Sequence, residues 1–290
     1  MTPARIGVVV NPVGEPDTAE ELIDRLKATA DVGVVETTEE DPGKAMTNEL
    51  VAEGHTIVVA AGGDGTVRAC AEALVGTEVP LVVLPLGTGN LLAANLDLPH
   101  SVRGVVDVVF HGADVEIDVG RANGEVFLVM AGFGLDTTIM ESTEQGAKDV
   151  AGPLAYVMTA LAHLGDEPVS AAVTIGDEQP SEMSVATCLA GNMGRVLGAL
   201  DVFPDAVWDD GELDFLAITA EGLAEWAVAA GETLTSVQEG KHVSRWKSSR
   251  VVIQFRFPTP YQIDGEARAE AERIEFWTER RALKVRKAGT

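Results

Sequence analysis

Two neighbouring stretches of the chain share one arrangement, in which a short apolar run leads into a glycine-rich turn and then into a helix-like run. In the first, "TIVVAA" (56–61) is followed by "GGDGT" (62–66), after which apolar residues recur at the helical spacing i, i+3, i+4, i+7. In the second, "PLVVLP" (80–85) is followed by "LGTGN" (86–90) and by "LLAANLDL" (91–98). Strands that alternate with helices are typical of parallel βαβ units. These stretches therefore predict an α/β domain, in which ligands bind beyond the carboxyl ends of the strands.

The rest of the N-terminal third continues this alternation. Strands are predicted at 5–10 and 32–36, and helices at 17–30 and 42–54. Thr18 and Glu21 have the spacing of a capping box at the start of the first helix. We therefore expect a parallel sheet that is covered by helices over residues 1–118.

Beyond about residue 114 the pattern changes, and short β-type runs dominate. They lie at 114–120, 125–131, 169–175, 183–190, 211–218, 250–255 and 273–277, with helix-like runs only near 151–164 and 221–230. This pattern is typical of antiparallel sheet. We predict a β-rich second domain over 119–277, followed by a segment, 278–290, that can return to the first domain.

Composition excludes several classes of protein. The net charge of −25 argues against binding to nucleic acid, and no apolar run reaches the length of about 18 residues that a membrane-spanning helix needs. The N-terminus has too few apolar residues for a signal peptide, so we expect a cytoplasmic protein with two free, buried thiols, Cys70 and Cys188. Zinc-site motifs and the esterase motif GxSxG do not occur in the sequence.

The glycine turn at 62–66 suits the close approach of a phosphate. Glycines expose backbone N–H groups at a helix N-terminus, where the orphan donors and the helix dipole favour an anion. Asp64 would repel a bare phosphate but suits a Mg²⁺ ion that lies between the two. The alternative is that both turns are only turns, with Thr88 or Asn90 capping the second helix. A lysine of the Walker type is missing, because Gly43-Lys44 is followed by Ala45.

These motifs resemble the catalytic-domain family of the diacylglycerol kinases, which includes bacterial lipid kinases and the sphingosine and ceramide kinases. "GGDGT" (62–66) and "PLGTGN" (85–90) carry the likeness most strongly. It continues in the expected order at Asn11-Pro12, "VEIDVG" (115–120), "FLVMAGFGLDT" (127–137), "DDGELDF" (209–215) and "YQIDGEA" (261–267). "GGDGT" alone is shared with the NAD kinases and, loosely, the phosphofructokinases.

The resemblance implies a Rossmann-like first domain, as in those two kinase groups, a β-sandwich second domain and an active site in the cleft between them. It implies ATP and Mg²⁺, with Asp64 organising the catalytic ion and Glu266 acting as the general base. It also implies a structural Mg²⁺ site at Asp210, with backbone carbonyls near Val207 and Glu212. The ATP contacts that it implies are Asn11, Pro12, Thr37 or Thr38, Gly62, Gly63, Asp64, Gly65, Thr66, Gly87, Thr88 and Asn90.

Two motifs also have simpler readings, and one departs from the family. Taken alone, "IDGEA" is a turn between strands, with Asp264-Gly265 as its central residues, and "DDGELDF" is a hairpin turn. The family has Asn-Pro-x-Ser-Gly after the first strand, whereas this chain has Val13-Gly14-Glu15 after Asn11-Pro12, so the serine hydroxyl is lost and a carboxylate appears close to where the phosphates are expected.

The resemblance therefore predicts an ATP- and Mg²⁺-dependent kinase that phosphorylates the hydroxyl of diacylglycerol or a related lipid. Contact with the membrane surface would be peripheral, and the sheet edges of the second domain leave room for a homodimer. A kinase of a soluble hydroxyl substrate, such as NAD, and a non-catalytic nucleotide- or lipid-binding regulator remain as alternatives. The run 152–165 is either a wall of the lipid groove or a core helix, and the basic segment 241–256 faces either headgroups or solvent along a strand edge.

Overall fold

The computed structural model describes residues 5–134, 168–196, 200–235 and 238–289. Six helices are described, at Pro16–Lys27 (α1), Lys44–Ala52 (α2), Asp64–Leu74 (α3), Leu91–Asn95 (α4), Val102–His111 (α5) and Gly222–Leu234 (α6). The first strands are Arg5–Val10 (β1), Asp31–Glu36 (β2), Ile57–Gly62 (β3), Leu81–Pro85 (β4), Ala113–Ala122 (β5), Glu125–Phe127 (β6), Met130–Phe133 (β7) and Val169–Ile175 (β8). The later strands are Ser181–Val185 (β9), Thr187–Gly191 (β10), Arg195–Val196 (β11), Leu200–Asp201 (β12), Leu213–Ile218 (β13), Val243–Ser248 (β14), Arg250–Ile263 (β15) and Glu266–Lys287 (β16).

The chain divides into two compact units. Unit 1 comprises Met1–Val119 and Arg280–Thr290, and unit 2 comprises Gly120–Glu279. Val285 of the C-terminal segment pairs in parallel with Leu81 of β4, within unit 1. Within the described residues, no helix is long and apolar enough to cross a membrane.

Unit 1 is a parallel sheet whose strands β2, β1, β3 and β4 lie side by side in that order. One face of the sheet packs against α1 and α5, and its buried residues include Ile6 and Val8 of β1. The opposite face is just as tightly covered, because a Cβ built on Gly7 would lie 2.8 Å from Leu50 of α2. Strands that are buried on both faces are typical of a parallel α/β sheet.

Unit 2 is antiparallel, and strands β14, β13, β10, β7, β15 and β16 lie side by side in that order. β8 pairs with β15 as well, and β9 with β8. Its core holds aromatic side chains from different strands of this sheet, including Phe133, Phe215 and Phe276. A second cluster buries Trp226 of α6 beside Val243 of β14. The predicted fold class, an α/β domain followed by a mainly antiparallel one, is therefore confirmed.

Several local predictions need correction. The capping box at Thr18 is wrong, because α1 already begins at Pro16, and the Thr18 hydroxyl donates to the Glu15 carboxylate instead. Helix α5 was not predicted at all. "DDGELDF" forms a turn but no hairpin, because among the described strands β12 pairs with β11 and β13 pairs with β10 and β14. The predicted helix at 152–165 lies outside the described residues.

Candidate active site

The carboxyl ends of four neighbouring parallel strands lie at one edge of unit 1. Backbone hydrogen bonds continue just past these ends: the Asn11 N–H donates to Ala61 O (2.9 Å), the Thr37 N–H to Val10 O (2.8 Å) and the Leu86 N–H to Gly62 O (3.0 Å). Each predicted nucleotide contact follows one of these strands within a few residues. The structure therefore brings the predicted unit 1 residues to one edge.

The two glycine turns at this edge touch each other. A Cβ built on Gly87 would lie 2.6 Å from the Cα atom of Gly63, so a side chain there would push into backbone. Gly62 has a different reason to lack a side chain, because its Cβ would lie 2.7 Å from the Cβ of Thr66. The missing side chains thus allow the two turns to pack closely, in addition to any part that the glycines play in ligand binding.

Asp64 has a structural role that the sequence did not indicate. Its Oδ1 accepts a hydrogen bond from the Leu91 N–H (2.7 Å), so the first turn caps the helix that follows the second turn. The prediction that Thr88 or Asn90 caps α4 is wrong for Asn90, which is the N-cap residue and makes no side-chain cap. Asn90 instead lies in the left-handed region (φ 46°) and bonds the backbone N–H and O of Gly87.

The N-terminus of α3 has no side-chain cap. Its N-cap residue, Gly63, has an extended backbone and offers no side-chain acceptor to the first turn. Gly63, Asp64 and Gly65 are partly exposed, whereas Thr66 is buried. A partly exposed first turn with no side-chain acceptor favours an anion there, because its N–H groups and the helix dipole both attract negative charge.

The loops after β1 and β2 complete the edge. Asn11 Oδ1 accepts the Val13 N–H (2.9 Å), and Glu15 lies at the N-terminus of α1, where the helix dipole favours its charge. Thr37 is buried, whereas Thr38 is exposed and its Oγ1 accepts the Asp41 N–H (3.1 Å). Of the two threonines, Thr38 is therefore the one that a ligand can reach.

The sequence reading missed Asp41, which lies in the loop after β2. Its carboxylate accepts the N–H groups of Gly43, Lys44 and Ala45 at 2.8–2.9 Å and so caps α2. An aspartate three residues before the helix is a signal that could have identified the cap.

In unit 2, Glu266 follows the predicted two-residue turn. Asp264 and Gly265 both have positive φ (47° and 86°), and Ile263 pairs with Glu266 across the hairpin, so the turn reading is confirmed. Arg268 lies two residues along the same strand and contacts the carboxylates of Glu266 (3.3 Å) and Glu125 (2.8 Å). Burial lowers the pKa of Arg268, but the two carboxylates outweigh that effect and raise it above its ordinary value.

Asp264 itself is buried and does not face a ligand. Its carboxylate accepts three backbone N–H groups, from Leu128 (2.8 Å), Val129 (2.9 Å) and Met130 (3.0 Å). This contact fixes the segment between β6 and β7 to the hairpin turn that carries Glu266.

The predicted structural metal site contains an ammonium group. Asp210 Oδ1 accepts the Glu212 N–H (3.0 Å), and Asp210 Oδ2 lies 3.3 Å from Lys247 Nζ. The positive charge of the ammonium group beside Oδ2 repels a divalent cation, so this arrangement does not fit a divalent ion at that oxygen. Val207 is exposed, as is Glu212.

Asp64 does fit a catalytic Mg²⁺ ion. Of the described side chains, no group of three or more His, Cys, Asp or Glu residues could hold a metal by itself. Mg²⁺ in kinases is usually held by one or two carboxylates together with the phosphates of the substrate, and a single carboxylate oxygen beside the α3 N-terminus meets that pattern.

Three of the five basic side chains of the segment 241–256 make contacts within unit 2, whereas Lys241 and Arg256 are exposed. Lys247 contacts Asp210 and Asp214, Arg250 contacts Glu275, and Arg245 donates to the backbone O atoms of Val202 and Thr233. These contacts favour the strand-edge interpretation over headgroup binding.

Two family models match this chain. The model described as "Diacylglycerol kinase catalytic domain" matches residues 5–122, and that described as "YegS C-terminal NAD kinase beta sandwich-like domain" matches residues 129–284.

Individual proteins agree with the family models. A protein of Pseudomonas syringae pv. tomato named "Probable lipid kinase YegS-like" is 31% identical over 206 residues, which cover 70% of this chain and 67% of that protein. A protein of Staphylococcus aureus named "Diacylglycerol kinase" is 27% identical over 279 residues, covering 90% and 86%. The crystal structure of a diacylglycerol kinase from Bacillus anthracis str. Sterne matches with a TM-score of 0.78 at 21% identity and covers 98% of this chain and 97% of that one.

Proposed function

Because the chain belongs to the lipid kinase family that contains the diacylglycerol kinases, we propose that it transfers the γ-phosphoryl group of ATP to the hydroxyl of diacylglycerol. In this reaction the bond between the γ-phosphorus and the β–γ bridging oxygen breaks, and a bond from phosphorus to the lipid oxygen forms. The hydroxyl proton goes to a carboxylate of the enzyme, and the products are ADP and phosphatidic acid. The acceptor lies in a bilayer, so the proposed contact with the membrane surface is peripheral.

The observation that carries the proposal is the meeting of four parallel strand ends at one edge of unit 1, with an uncapped α3 N-terminus among them. The backbone N–H groups of Gly63, Gly65 and Thr66 are proposed to bind the phosphates of ATP, and the glycines let those phosphates come close. Thr88 is the exposed residue of the second turn and is proposed to bind the nucleotide with Asn11 and Thr38.

Asp64 is proposed to hold Mg²⁺ while it keeps the two glycine turns together. When bound, the ion neutralises the negative charge of the phosphates. Asp64 is suited to both tasks, because its Oδ1 is fixed by the Leu91 N–H and the carboxylate is partly exposed.

Glu266 is proposed to accept the proton of the lipid hydroxyl. Its carboxylate is exposed and is held by Arg268, so it has a defined position and can still meet a substrate. Arg268 is in turn held by Glu125, and the buried Asp264 fixes the turn that precedes Glu266. The base therefore lies at the end of a rigid hairpin and not on a loop.

The test is phosphorylation of dispersed diacylglycerol with ATP and Mg²⁺, compared between the wild type and Glu266→Gln. Loss of a general base lowers kcat by about 10²–10⁴-fold. A KM for ATP that stays unchanged would show that the substitution affects the chemical step and not the binding of ATP. Glu270→Gln is the matched control, because Glu270 is an exposed glutamate of the same strand, β16. We expect the control to keep wild-type activity.

Two outcomes would contradict the proposal. If the wild type phosphorylates NAD but not diacylglycerol, the acceptor is a soluble hydroxyl. If the wild type transfers phosphate to neither, the chain acts as a nucleotide- or lipid-binding regulator. Full activity of Glu266→Gln on diacylglycerol would leave the lipid kinase proposal intact and would show that another group takes the proton.

A further inference from the structure

The ammonium group of Lys247 lies at the centre of an acidic segment of unit 2. The ten residues from Asp205 to Asp214 contain five acids and no base. The register of β13 and β14 places Lys247 directly opposite Asp214, and Nζ lies 3.0 Å from Asp214 Oδ2. The same Nζ lies 3.3 Å from Asp210 Oδ2 and donates to the backbone O of Asp205 (2.7 Å).

These contacts use the full donor capacity of an ammonium group. A lysine Nζ has three N–H donors and no acceptor, and here it meets three oxygens from three residues. The segment contains five acids and no base of its own, so it has more acid than one lysine neutralises.

We infer that Lys247 Nζ serves as the built-in cation of the segment 205–214 and takes the role of the structural Mg²⁺ ion that the family resemblance implies at Asp210. Of the ligands implied for that ion, Nζ contacts Asp210. Two carboxylates and a backbone carbonyl converge on it, which is a set of ligands that a hard cation also prefers. The distances of 2.7–3.3 Å are those of hydrogen bonds, longer than the roughly 2.0–2.1 Å of Mg²⁺–oxygen bonds. These three oxygens therefore already face an ammonium group.

This inference goes beyond the proposed function and does not depend on the roles of Asp64 or Glu266. It concerns what holds the turn before β13, so it is tested by stability and metal content in the absence of nucleotide. Without nucleotide, a catalytic ion lacks the phosphates that would help to hold it.

The experiment compares thermal unfolding of the wild type and Lys247→Met in EDTA and in millimolar MgCl₂. The methionine keeps much of the apolar stem and removes the charge. We expect the wild-type Tm to be the same in both buffers. We expect Lys247→Met to unfold several degrees lower in EDTA, because Asp210 and Asp214 then repel each other, and to regain part of that loss in MgCl₂, because the three oxygens can bind the ion.

Lys241→Met is the matched control, because Lys241 is exposed and lies just before β14, and it should behave as the wild type in both buffers. A wild-type Tm that falls in EDTA would overturn the inference, as would a Lys247→Met variant as stable in EDTA as the wild type. Destabilisation that MgCl₂ does not relieve would also contradict it, because the three oxygens would then not form a cation position.

A second measurement covers the case in which Lys247→Met does not fold. The wild type is equilibrated with MgCl₂, desalted and analysed for metal by mass spectrometry. We expect no bound magnesium at a stoichiometric level, and one equivalent that survives desalting would overturn the inference.

Discussion

The candidate nucleotide edge of unit 1 and the charged clusters of unit 2 are built in opposite ways. In unit 1, the features that favour an anion are backbone N–H groups and missing side chains at Gly62, Gly63 and Gly87. In unit 2, the decisive contacts are between charged side chains, namely Lys247 with Asp210 and Asp214, and Arg268 with Glu266 and Glu125. The first kind of site depends on local turns, and the second on the register of antiparallel strands.

Aspartates show the same contrast. Asp64 and Asp41 in unit 1 and Asp264 in unit 2 all accept backbone N–H groups, so each fixes a turn or a helix end. Asp210 also accepts a backbone N–H, from Glu212, but its other oxygen holds an ammonium group from a distant strand. A carboxylate in a family motif can therefore be a scaffold, a ligand or both, and only its partners distinguish these roles.

The largest effect on stability is expected for Asp264→Ala. The substitution removes the acceptor of three buried N–H groups, and we expect the free energy of unfolding of unit 2 to fall by roughly 3–5 kcal/mol. Urea unfolding followed by tryptophan fluorescence measures it, because all four tryptophans of the chain lie within the range of unit 2.

Asp264→Asn is the control for this prediction. Its amide keeps one carbonyl oxygen that can accept a hydrogen bond, so its loss of stability should fall between those of the wild type and Asp264→Ala. If Asp264→Ala loses less than about 1 kcal/mol, the carboxylate does not fix the turn and the scaffold role is wrong.

The fold was largely predictable from the sequence because its signals are local. The apolar runs of β1, β3 and β4 are short, β-branched and bounded by turn residues, which distinguishes them from helices. The ends of α1 and α2 were misplaced by a few residues: α1 begins at Pro16, before the predicted capping box, and α2 begins at Lys44, after the cap that Asp41 provides. β15 and β16 were recognised only in part, because Pro258 and Pro260 interrupt the alternation beyond Phe255 and because only small alanines alternate with charged residues around Glu270.

The candidate site was predictable only where the backbone groups of local turns form it. The glycines and Asn11 belong to local turn patterns, so their convergence follows from the parallel order of the strands. The pairing of Lys247 with Asp214 depends on which residues of β13 and β14 lie opposite each other, and no local pattern encodes that register. Arg268 could have been noticed, because residues two apart on a strand lie on the same face as Glu266.

Gly87→Ala tests the unit 1 side of the comparison and should have the next largest effect. Its Cβ would lie 2.6 Å from the Gly63 Cα, so backbone must shift, and we expect unit 1 to lose about 2 kcal/mol. The shift also moves the α3 N-terminus, so the KM for ATP should rise several-fold. Far-UV circular dichroism reports the stability loss, whereas the tryptophan transition should not move.

Gly14→Ala is the matched control for stability. Gly14 has no positive φ, and its Cβ would lie no closer than 3.8 Å to any neighbour, so an alanine fits there. If Gly87→Ala is as stable as Gly14→Ala, the two glycine turns do not depend on close contact. If Gly87→Ala lowers the tryptophan midpoint as much as Asp264→Ala does, the two units do not open separately and the comparison fails.

The smallest expected signal is the reaction of the two cysteine thiols in the native protein. Because one cysteine lies in each unit, the thiols also allow a direct comparison between the units. Cys70 is buried in unit 1 and Cys188 in unit 2, and burial raises the pKa of each thiol from 9.0 to about 12. At pH 8 only about one thiol in ten thousand is then ionised, so neither should react with a chromogenic disulfide in native buffer. Because the folded state holds these protons more tightly, the stability that they contribute is complete below pH 9 and is lost as the pH rises towards 12.

In single-cysteine variants, the labelling rate of the remaining thiol measures how often its own unit opens. In the Cys70→Ala background, Asp264→Ala should raise the labelling rate of Cys188 by on the order of 10²- to 5 × 10³-fold, because labelling follows the population of the open form. In the Cys188→Ala background, Gly87→Ala should raise the labelling rate of Cys70 by roughly 30-fold, for the same reason. Each substitution should change the other thiol by less than about twofold, since its contacts lie within its own unit. If either substitution raised the labelling rates of both thiols equally, the contacts of Asp264 and of Gly87 would stabilise one cooperative structure and not two.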